Sequence, residues 1–494
     1  MSEEIIGLLI LLVYAIISIT IGVLAKKKGK FNVKDYVTTD STTGILILIF
    51  TFSATYHSAY AFMGAPGWVY SDGIGWWFNG LWTVLPGILL WLVGKRIWAL
   101  GQKRGYISMG DYLSGVYNSS SLSILVGIVG ILFIFPYVAM QAQGLSYIFS
   151  QLTGGLITFE VGAFFFIALI MFYVFLGGVR GVAWADTFQG LWMMIAIPLG
   201  GLIIASNLFG GIGPLFAEGA REVPEMFSLP GPQEAFTRDF WISYWLTITI
   251  GMSVMPTIFL RYLMGDNLRT IKWAGVGSSI YLTFIFVFTP AVGIGGQLVA
   301  PGLEVADHIF PHLLTEFTPF LFAAFTMAGA VAASMSTASS QLHAAASQAT
   351  VDIYDKFDTS KERDEEDEEE NKKLYNINRF LIIIFGVLSL FIAFMELEFP
   401  ALLEISTAGI AILAPSIFFP LYWEKATKQA AFGSIIGGLI FVILFQFLID
   451  TPGNTVAGIW GIGASFLIFI LISLVTKDQD SVVKHCRFLK KTFQ

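Results

Sequence analysis

Long apolar runs separated by short polar segments follow one another along the whole chain. A membrane-spanning helix needs about 20 consecutive, mostly apolar residues. Thirteen runs meet this requirement, at about 5–25, 44–69, 76–98, 121–151, 157–176, 182–207, 239–260, 273–299, 317–351, 379–397, 399–422, 429–450 and 456–476. The pattern predicts an all-α polytopic membrane protein with thirteen transmembrane helices.

The composition agrees with this prediction. Hydrophobic residues make up 55% of the 494 residues and charged residues only 13%, about half the fraction that is usual in soluble domains. Such a chain cannot build a soluble surface, which excludes a cytosolic enzyme, a nucleic-acid-binding protein and a disordered scaffold. The sequence contains no HExxH, CxxC, GxSxG or P-loop motif, and Cys486 is its only cysteine. We therefore expect no enzymatic activity.

The basic residues follow alternate apolar runs. In the thirteen-span frame, all of the 28 lysine and arginine residues except Arg221 and Arg238 fall on the same side of the membrane. Basic loops stay in the cytoplasm, so the N-terminus is expected outside and the C-terminus inside the cell, in the plasma membrane. In this frame no lysine or arginine is expected deep within a span.

Two polar segments are expected on the cytoplasmic side. Residues 352–378 form a loop that contains the acidic run from Asp364 to Glu370, and we expect this loop to be a solvated tether. Residues 477–494 form a basic tail, which we expect to lie on the membrane surface. The chain shows no second domain, so we expect the lipid bilayer and a small solute as its partners, with no protein partner required.

Two runs contain polar and helix-breaking residues near their middle. They are Phe52–Ala59 with Gly64–Gly67 in the second run, and Thr247–Pro256 in the seventh. These runs are five spans apart and cross in opposite directions, which is the geometry of two inverted repeats. Broken helices at matching positions mark the binding site of a transporter; close helix packing is the alternative. The predicted units are a first helix, two repeats and two last helices, at 5–25, 44–207, 239–422 and 429–476.

The ninth run places oxygen-bearing groups on one helix face. Ala333, Ser336 and Thr337 stand at positions i, i+3 and i+4. Ala54 and His57 stand three apart where the second run is expected to unwind and free its carbonyl groups. Small hard cations prefer oxygen ligands, and neutral oxygens suit a monovalent ion that must also leave. These residue types are typical of a cation site, with a Ser/Ala-rich packing face as the alternative.

At these residues the chain resembles the sodium:solute symporter family over nearly its whole length. Four segments carry the resemblance: TYHSAYAFMGAPG from Thr55, GGVRGVAWADTFQ from Gly177, ASMSTASSQ from Ala333 and LYWEKATKQAAFGSIIGG from Leu421. The first is most similar to the pantothenate-permease and monocarboxylate branches. Proline permeases of the family carry an aspartate where Tyr56 stands here, so proline is not the expected solute.

The resemblance implies a LeuT-type 5+5 inverted repeat and inward symport of sodium with a small organic solute, of the pantothenate or monocarboxylate type. A proton-coupled or uncoupled carrier on the same fold is the alternative. By resemblance, Asp186 takes part in sodium coupling; a helix-end charge near Arg180 is the other interpretation. The implied sodium ligands are three carbonyls and two hydroxyls, those of Ala54, His57, Ala333, Ser336 and Thr337.

The solute is expected beside the broken segments, near the middle of the membrane. The candidate contacts are polar residues of the second, fourth, seventh and eleventh spans: Tyr56, His57, Ser58, Gln141, Thr249, Ser253, Ser406 and Thr407. None of them carries a fixed positive charge. An organic anion would then be held by N–H groups at helix ends and by hydroxyls, with the sodium ion supplying positive charge.

Overall fold

Residues 3–27, 33–357, 368–477 and 479–493 are described by a computed structural model, and most of them are helical. No strand occurs within these ranges; the one extended pairing is an isolated bridge between Thr43 and Gly265. Residues 358–367, the middle of the predicted loop 352–378, lie outside the described ranges. The two described ends of this loop are helical, which corrects the expectation of a solvated tether there.

The α-helices are numbered in chain order. The first twelve are α1 Glu3–Lys26, α2 Val33–Thr38, α3 Ile45–Tyr56, α4 Ala65–Asp72, α5 Trp76–Asn79, α6 Leu85–Leu89, α7 Lys95–Arg104, α8 Met109–Tyr117, α9 Ser120–Leu152, α10 Phe159–Phe209, α11 Ile212–Glu222 and α12 Arg238–Ser253. The others are α13 Pro256–Met264, α14 Leu268–Phe286, α15 Thr289–Val299, α16 Ile309–Phe317, α17 Phe320–Ser347, α18 Asp355–Phe357, α19 Glu368–Ala393, α20 Phe399–Ala411, α21 Ala414–Phe418, α22 Lys428–Ile443, α23 Ala457–Val475 and α24 Asp480–Phe493.

Within the described residues, eight helical segments are long and apolar enough to cross a membrane, or up to eleven if each of three bent helix pairs forms one span. The prediction of an all-helical, multi-pass membrane protein is confirmed, and the count of thirteen stays a prediction. The two counts differ in two places. Residues 76–98 contain short helices separated by 3₁₀ and π turns, and α10 joins two predicted spans.

The break in α10 lies at Gly178. An unbroken helix of 51 residues would be about 77 Å long, more than twice the thickness of the bilayer core. Gly178 interrupts it with φ 56° and ψ −164°, a conformation that a residue with a Cβ adopts only under strain. A Cβ at this position would also overlap the ring of Tyr36. The glycine therefore explains how one helical segment covers the two runs at 157–176 and 182–207.

Three helix pairs are bent by more than 40°. The pair Ile45–Tyr56 and Tyr60–Asp72 is bent by 62°, and the pair α12 and α13 by 47°. These bends fall in the second and seventh runs, where the sequence predicts broken helices. A third bend, of 46°, lies in the eleventh run between α20 and Ala414–Leu421. The boundaries of the two repeats stay a prediction.

The C-terminal helix α24 packs against the protein. Val482, Cys486 and Leu489 form its buried face, and the Cys486 thiol donates a hydrogen bond to the carbonyl of Pro420 (3.0 Å). Its apolar side is therefore covered by protein, and the position of the tail at the membrane surface stays a prediction. The apolar face of an amphipathic helix can be buried against either lipid or protein. The sequence pattern alone does not show which of the two covers it.

Candidate functional site

The breaks in the second and seventh spans lie side by side. In the second span α3 ends at Tyr56, and in the seventh α12 ends at Ser253, just before Pro256, which has no backbone N–H to donate. Tyrosine hydroxyls bond the carbonyls near the second break: Tyr56 donates to Met252 O (3.3 Å), and Tyr262 donates to Ser253 O (2.8 Å). The Tyr56 contact joins the two broken segments, and the Tyr262 contact bridges the break within the seventh span.

The oxygen atoms predicted to hold a cation converge at the break of the second span. The Ser336 hydroxyl lies 3.0 Å from the carbonyl oxygens of both Ala54 and Ala333. The Thr337 hydroxyl lies 2.9 Å from the carbonyl oxygen of His57 and 3.3 Å from that of Ala54. All five residues are fully buried. The structure thus brings together the five predicted ligands, while their use as sodium ligands stays a prediction.

This cluster has the chemistry that a monovalent cation needs. Its donors are three carbonyl and two hydroxyl oxygens, and none of them carries a charge. Both hydroxyl groups can turn their protons away and present lone pairs. Oxygen-only ligands suit a hard cation, and their neutrality lets a single positive charge bind without being trapped.

Asp186 forms a buried ion pair with Arg261. The Arg261 Nη2 and Asp186 Oδ2 atoms are 3.2 Å apart, and the two side chains are 1% and 0% exposed. The other interpretation of Asp186, a helix-end charge near Arg180, is wrong, since Asp186 is buried beside Arg261 and Arg180 pairs with Asp35. The expectation that no arginine lies deep within a span is also wrong. The apolar run stops at residue 260, but α13 continues to Met264 and carries Arg261 inside.

Hydroxyl groups tie this ion pair to the cation-site helices. Thr51 on α3 donates to Asp186 Oδ2 (2.6 Å). Ser340 on α17 accepts from Arg261 (2.6 Å) and lies 3.2 Å from the same carboxylate oxygen. Because Ser340 is about one turn along α17 from Thr337, the network joins α3, α10, α13 and α17 directly beside the oxygen cluster.

Gln141, a predicted solute contact, forms a hydrogen bond with the backbone of the broken second span. Its Oε1 accepts a hydrogen bond from the backbone N–H of Ala59 (2.8 Å), and its Nε2 donates to the carbonyl of Tyr137 (2.8 Å). Ser58, another predicted contact, accepts from the N–H of Tyr60 (3.2 Å). Both side chains therefore satisfy amides where the helix resumes, and the sequence pattern gives no sign of this role.

We expect Gln141→Leu to impair transport by loosening the break in the second span. The substitution leaves the Ala59 N–H buried without an acceptor, which costs about 1–3 kcal/mol. Uptake in proteoliposomes should fall by about tenfold or more. Gln143→Leu is the matched control, because the Gln143 amide donates to Ala393 O, away from the break. Equal losses in both variants would contradict this role for Gln141.

The predicted solute contacts of the seventh and eleventh spans differ in whether their hydroxyls already have hydrogen-bond partners. The hydroxyls of Ser253 and Thr407 donate to carbonyls of their own helices, and that of Ser406 donates to Phe133 O on α9 (2.5 Å). The hydroxyl of Thr249 is buried and, among the described residues, has no hydrogen-bond partner. The spans meet closely here, since a Cβ at Gly251 would lie 2.5 Å from the Thr407 carbonyl oxygen.

The His57 ring is another polar group at the breaks without a partner among the described residues. Its centroid lies 4.9 Å from that of Phe286 and 5.5 Å from that of Tyr281, both on α14. Neither ring nitrogen has a hydrogen-bond partner in the part of the chain that the structure describes. His57 thus offers its carbonyl to the oxygen cluster and an unpaired buried imidazole beside it.

Known proteins are similar to this chain over most of its length. The model of the sodium:solute symporter family matches residues 36–438. The sodium/pantothenate symporter of Haemophilus influenzae is 26% identical, over 85% of this chain and 86% of its own length. The sodium/proline symporter of Staphylococcus aureus is 24% identical, over 94% of this chain and 90% of its own. A solved Na⁺-coupled sialic acid symporter, in a substrate-bound outward-open state, is 20% identical with a TM-score of 0.79, covering 96% of this chain and 98% of its own. The fold is therefore LeuT-like.

Proposed function

Because the chain belongs to the sodium:solute symporter family, we propose that it imports a small carboxylate, of the pantothenate or monocarboxylate type, together with sodium. The protein is a transporter and not an enzyme, and sodium is its co-transported ion. Transport would proceed by alternating access in the plasma membrane, with the N-terminus outside the cell. We also propose which residues bind sodium and the solute, and which class of solute is carried.

One observation carries the proposed sodium site. The Ser336 and Thr337 hydroxyls both reach carbonyl oxygens freed by the break in the second span. A packing face of small residues would not require two hydroxyls to converge on the same unwound turn. The proposed ligands are the five oxygens of the cluster, from Ala54, His57, Ala333, Ser336 and Thr337. Asp186 would act beside them through Ser340 and Thr51.

The same turn would couple sodium to the solute. Ala54 and His57 supply carbonyls to the proposed ion site. The Tyr56 hydroxyl bonds Met252 O, and the His57 ring packs beside α14. A sodium ion that fixes this turn also fixes the solute contacts, so each cargo favours binding of the other. Such mutual favouring is the thermodynamic requirement for coupled binding, and it is reciprocal.

The free groups at the breaks favour a solute with several hydrogen-bonding atoms. The His57 imidazole and the Thr249 hydroxyl are buried without partners among the described residues. A bound solute that hydrogen-bonds them would remove the cost of burying them unpaired. The one buried arginine nearby, Arg261, is already paired with Asp186, so a solute carboxylate would rely on sodium and on neutral donors. Pantothenate, with its hydroxyl and amide groups, fits these donors better than acetate.

The test is uptake into proteoliposomes with an imposed inward sodium gradient. The panel contains labelled pantothenate, pyruvate, lactate, acetate and proline, each repeated with a proton gradient in place of sodium. We expect sodium to stimulate uptake of one carboxylate and a proton gradient not to replace it. Equal uptake with protons would support the proton-coupled alternative. Uptake of proline alone would contradict the carboxylate assignment.

A further inference from the structure

Three cations gather at one edge of the end of the helix bundle that carries most of the basic residues. Lys95 and Arg96 begin α7, and Lys272 lies on α14. The ring of Trp91 joins two of them: its centroid is 4.3 Å from Lys95 Nζ and 5.7 Å from Lys272 Nζ. Helices that are far apart in sequence thus place their positive charges around a single aromatic ring.

The end of the C-terminal helix completes this cluster. The Phe493 ring lies 5.3 Å from Lys95 Nζ and 5.4 Å from Arg96 Cζ. Arg96 also stacks on Tyr422, at 4.2 Å from the ring centroid. Cation–π contacts of this kind hold the charges in place without neutralising them. We refer to Trp91, Lys95, Arg96, Lys272 and Phe493 as the rim cluster.

No carboxylate of the described residues balances the positive charge of the rim cluster. Within the described residues, none of its three cations lies within ion-pairing distance of a carboxylate, whereas elsewhere at this end Arg180 pairs with Asp35 and Lys356 pairs with Asp111. The Arg96 Nε is buried and has no partner among those residues. Like charges held close together repel one another, so an external anion would stabilise this arrangement.

The position of the cluster indicates which anion is available. Trp91 is 38% exposed, and the adjacent Trp273 on α14 is 45% exposed. Tryptophans and lysines at the ends of membrane spans lie at the level of the lipid headgroups. Basic pockets between spans at that level bind anionic headgroups. A headgroup phosphate would reach the three cations while its acyl chains lie along the apolar surface beside Trp91.

We propose that the rim cluster is a binding site for the headgroup phosphate of an anionic phospholipid. The bound lipid would join α7, α14 and the end of α24. This site is separate from the proposed cargo sites and does not depend on the proposed function. The lipid would therefore stabilise the docked position of the C-terminal helix.

The test measures lipid binding to the purified full-length protein in a neutral detergent. Phosphatidylglycerol and phosphatidylcholine are added separately, and retained lipids are counted by native mass spectrometry, with the unfolding temperature as a second readout. We expect phosphatidylglycerol to bind and to raise the unfolding temperature, and phosphatidylcholine to do so far less. Lys272→Gln should weaken phosphatidylglycerol binding about fivefold, and the triple change of Lys95, Arg96 and Lys272 to Gln by about two orders of magnitude.

Three controls make the outcome decisive. Lys272 is exposed, so Lys272→Gln should leave the fold intact even if the triple variant does not fold. Replacing the exposed Lys103, Lys484 and Lys491 by Gln removes the same charge from the same end but spares the cluster. Equal weakening by this control, or equal binding of phosphatidylcholine, would overturn the proposal. Equal stabilisation by inorganic phosphate alone would overturn the assignment to a lipid.

Discussion

Thr337→Ala is expected to abolish most sodium-dependent uptake while leaving the protein folded. The change removes one of the five oxygens around the break in the second span, the one 2.9 Å from the His57 carbonyl. A hydrogen-bonding or ligating contact to a charged group is worth about 1.5–3 kcal/mol. The sodium concentration for half-maximal uptake should therefore rise by about 10- to 100-fold. Uptake in proteoliposomes at a series of sodium concentrations measures this shift.

Two further variants test whether the Thr337 hydroxyl itself is responsible for the loss. Thr337→Ser keeps the hydroxyl oxygen, so most of the sodium dependence should return. Thr350→Ala removes a buried hydroxyl that follows α17 and bonds only the Ala346 carbonyl one turn back (2.8 Å), so the sodium response should not change. If Thr337→Ala responded to sodium as the unchanged protein does, the proposed ion site would be wrong, whatever the solute.

Breaking the Asp186–Arg261 pair from either side is expected to destabilise the protein strongly. Asp186→Asn leaves the Arg261 guanidinium buried without its counter-charge, and Arg261→Met leaves the carboxylate in the same state. Removing one partner of a buried pair costs about 3–5 kcal/mol. The double variant, with both Asp186→Asn and Arg261→Met, buries no unpaired charge, so it should be more stable than either single variant. Unfolding of the four proteins in detergent gives the interaction as a double-mutant cycle.

The double variant also separates structure from coupling. If Asp186 acts in sodium coupling, the double variant should fold and yet lose the sodium stimulation of uptake. Asp239→Asn is the control, because Asp239 pairs with Arg238 at the surface, with side chains 53% and 84% exposed. A pair of that kind contributes at most about 1 kcal/mol. Full sodium stimulation in the double variant would reduce Asp186 to a purely structural residue.

The ion-pair network gives the two sets of variants a common physical basis. Ser340 bonds Arg261, and Thr55 donates to Ser340 (3.3 Å) from the turn that supplies the Ala54 carbonyl. A shift of α13 relative to α17 would therefore be felt at the oxygen cluster within a single helix turn. Chains of packed and bonded groups with discrete arrangements carry energetic coupling between sites. We expect Asp186 variants to change sodium affinity more than solute affinity.

The sequence alone determined the membrane class, the helical fold, the broken spans and the family. Each depends on local chemistry. Apolar runs of about 20 residues are typical of membrane-spanning helices. A glycine or proline within such a run disturbs the helix whatever surrounds it. The spacing of Ala333, Ser336 and Thr337 places their groups on one face before any partner is known. The prediction that these groups face Ala54 and His57 came from the family resemblance, and the structure places them together.

Only the tertiary structure decided which polar groups bond one another. The sequence predicts Arg261 outside the membrane because it follows an apolar run. In the structure α13 continues past it, and its Nη2 lies 3.2 Å from Asp186 Oδ2. The sequence predicts Gln141 as a solute contact, and the structure shows that its Oε1 accepts a hydrogen bond from the Ala59 N–H at 2.8 Å. The sequence predicts a basic tail at the membrane surface, and the structure shows that the apolar face of α24 packs against protein. In each case the deciding partner is more than eighty positions away or on another helix, and hydrogen bonds and ion pairs act only at contact distance.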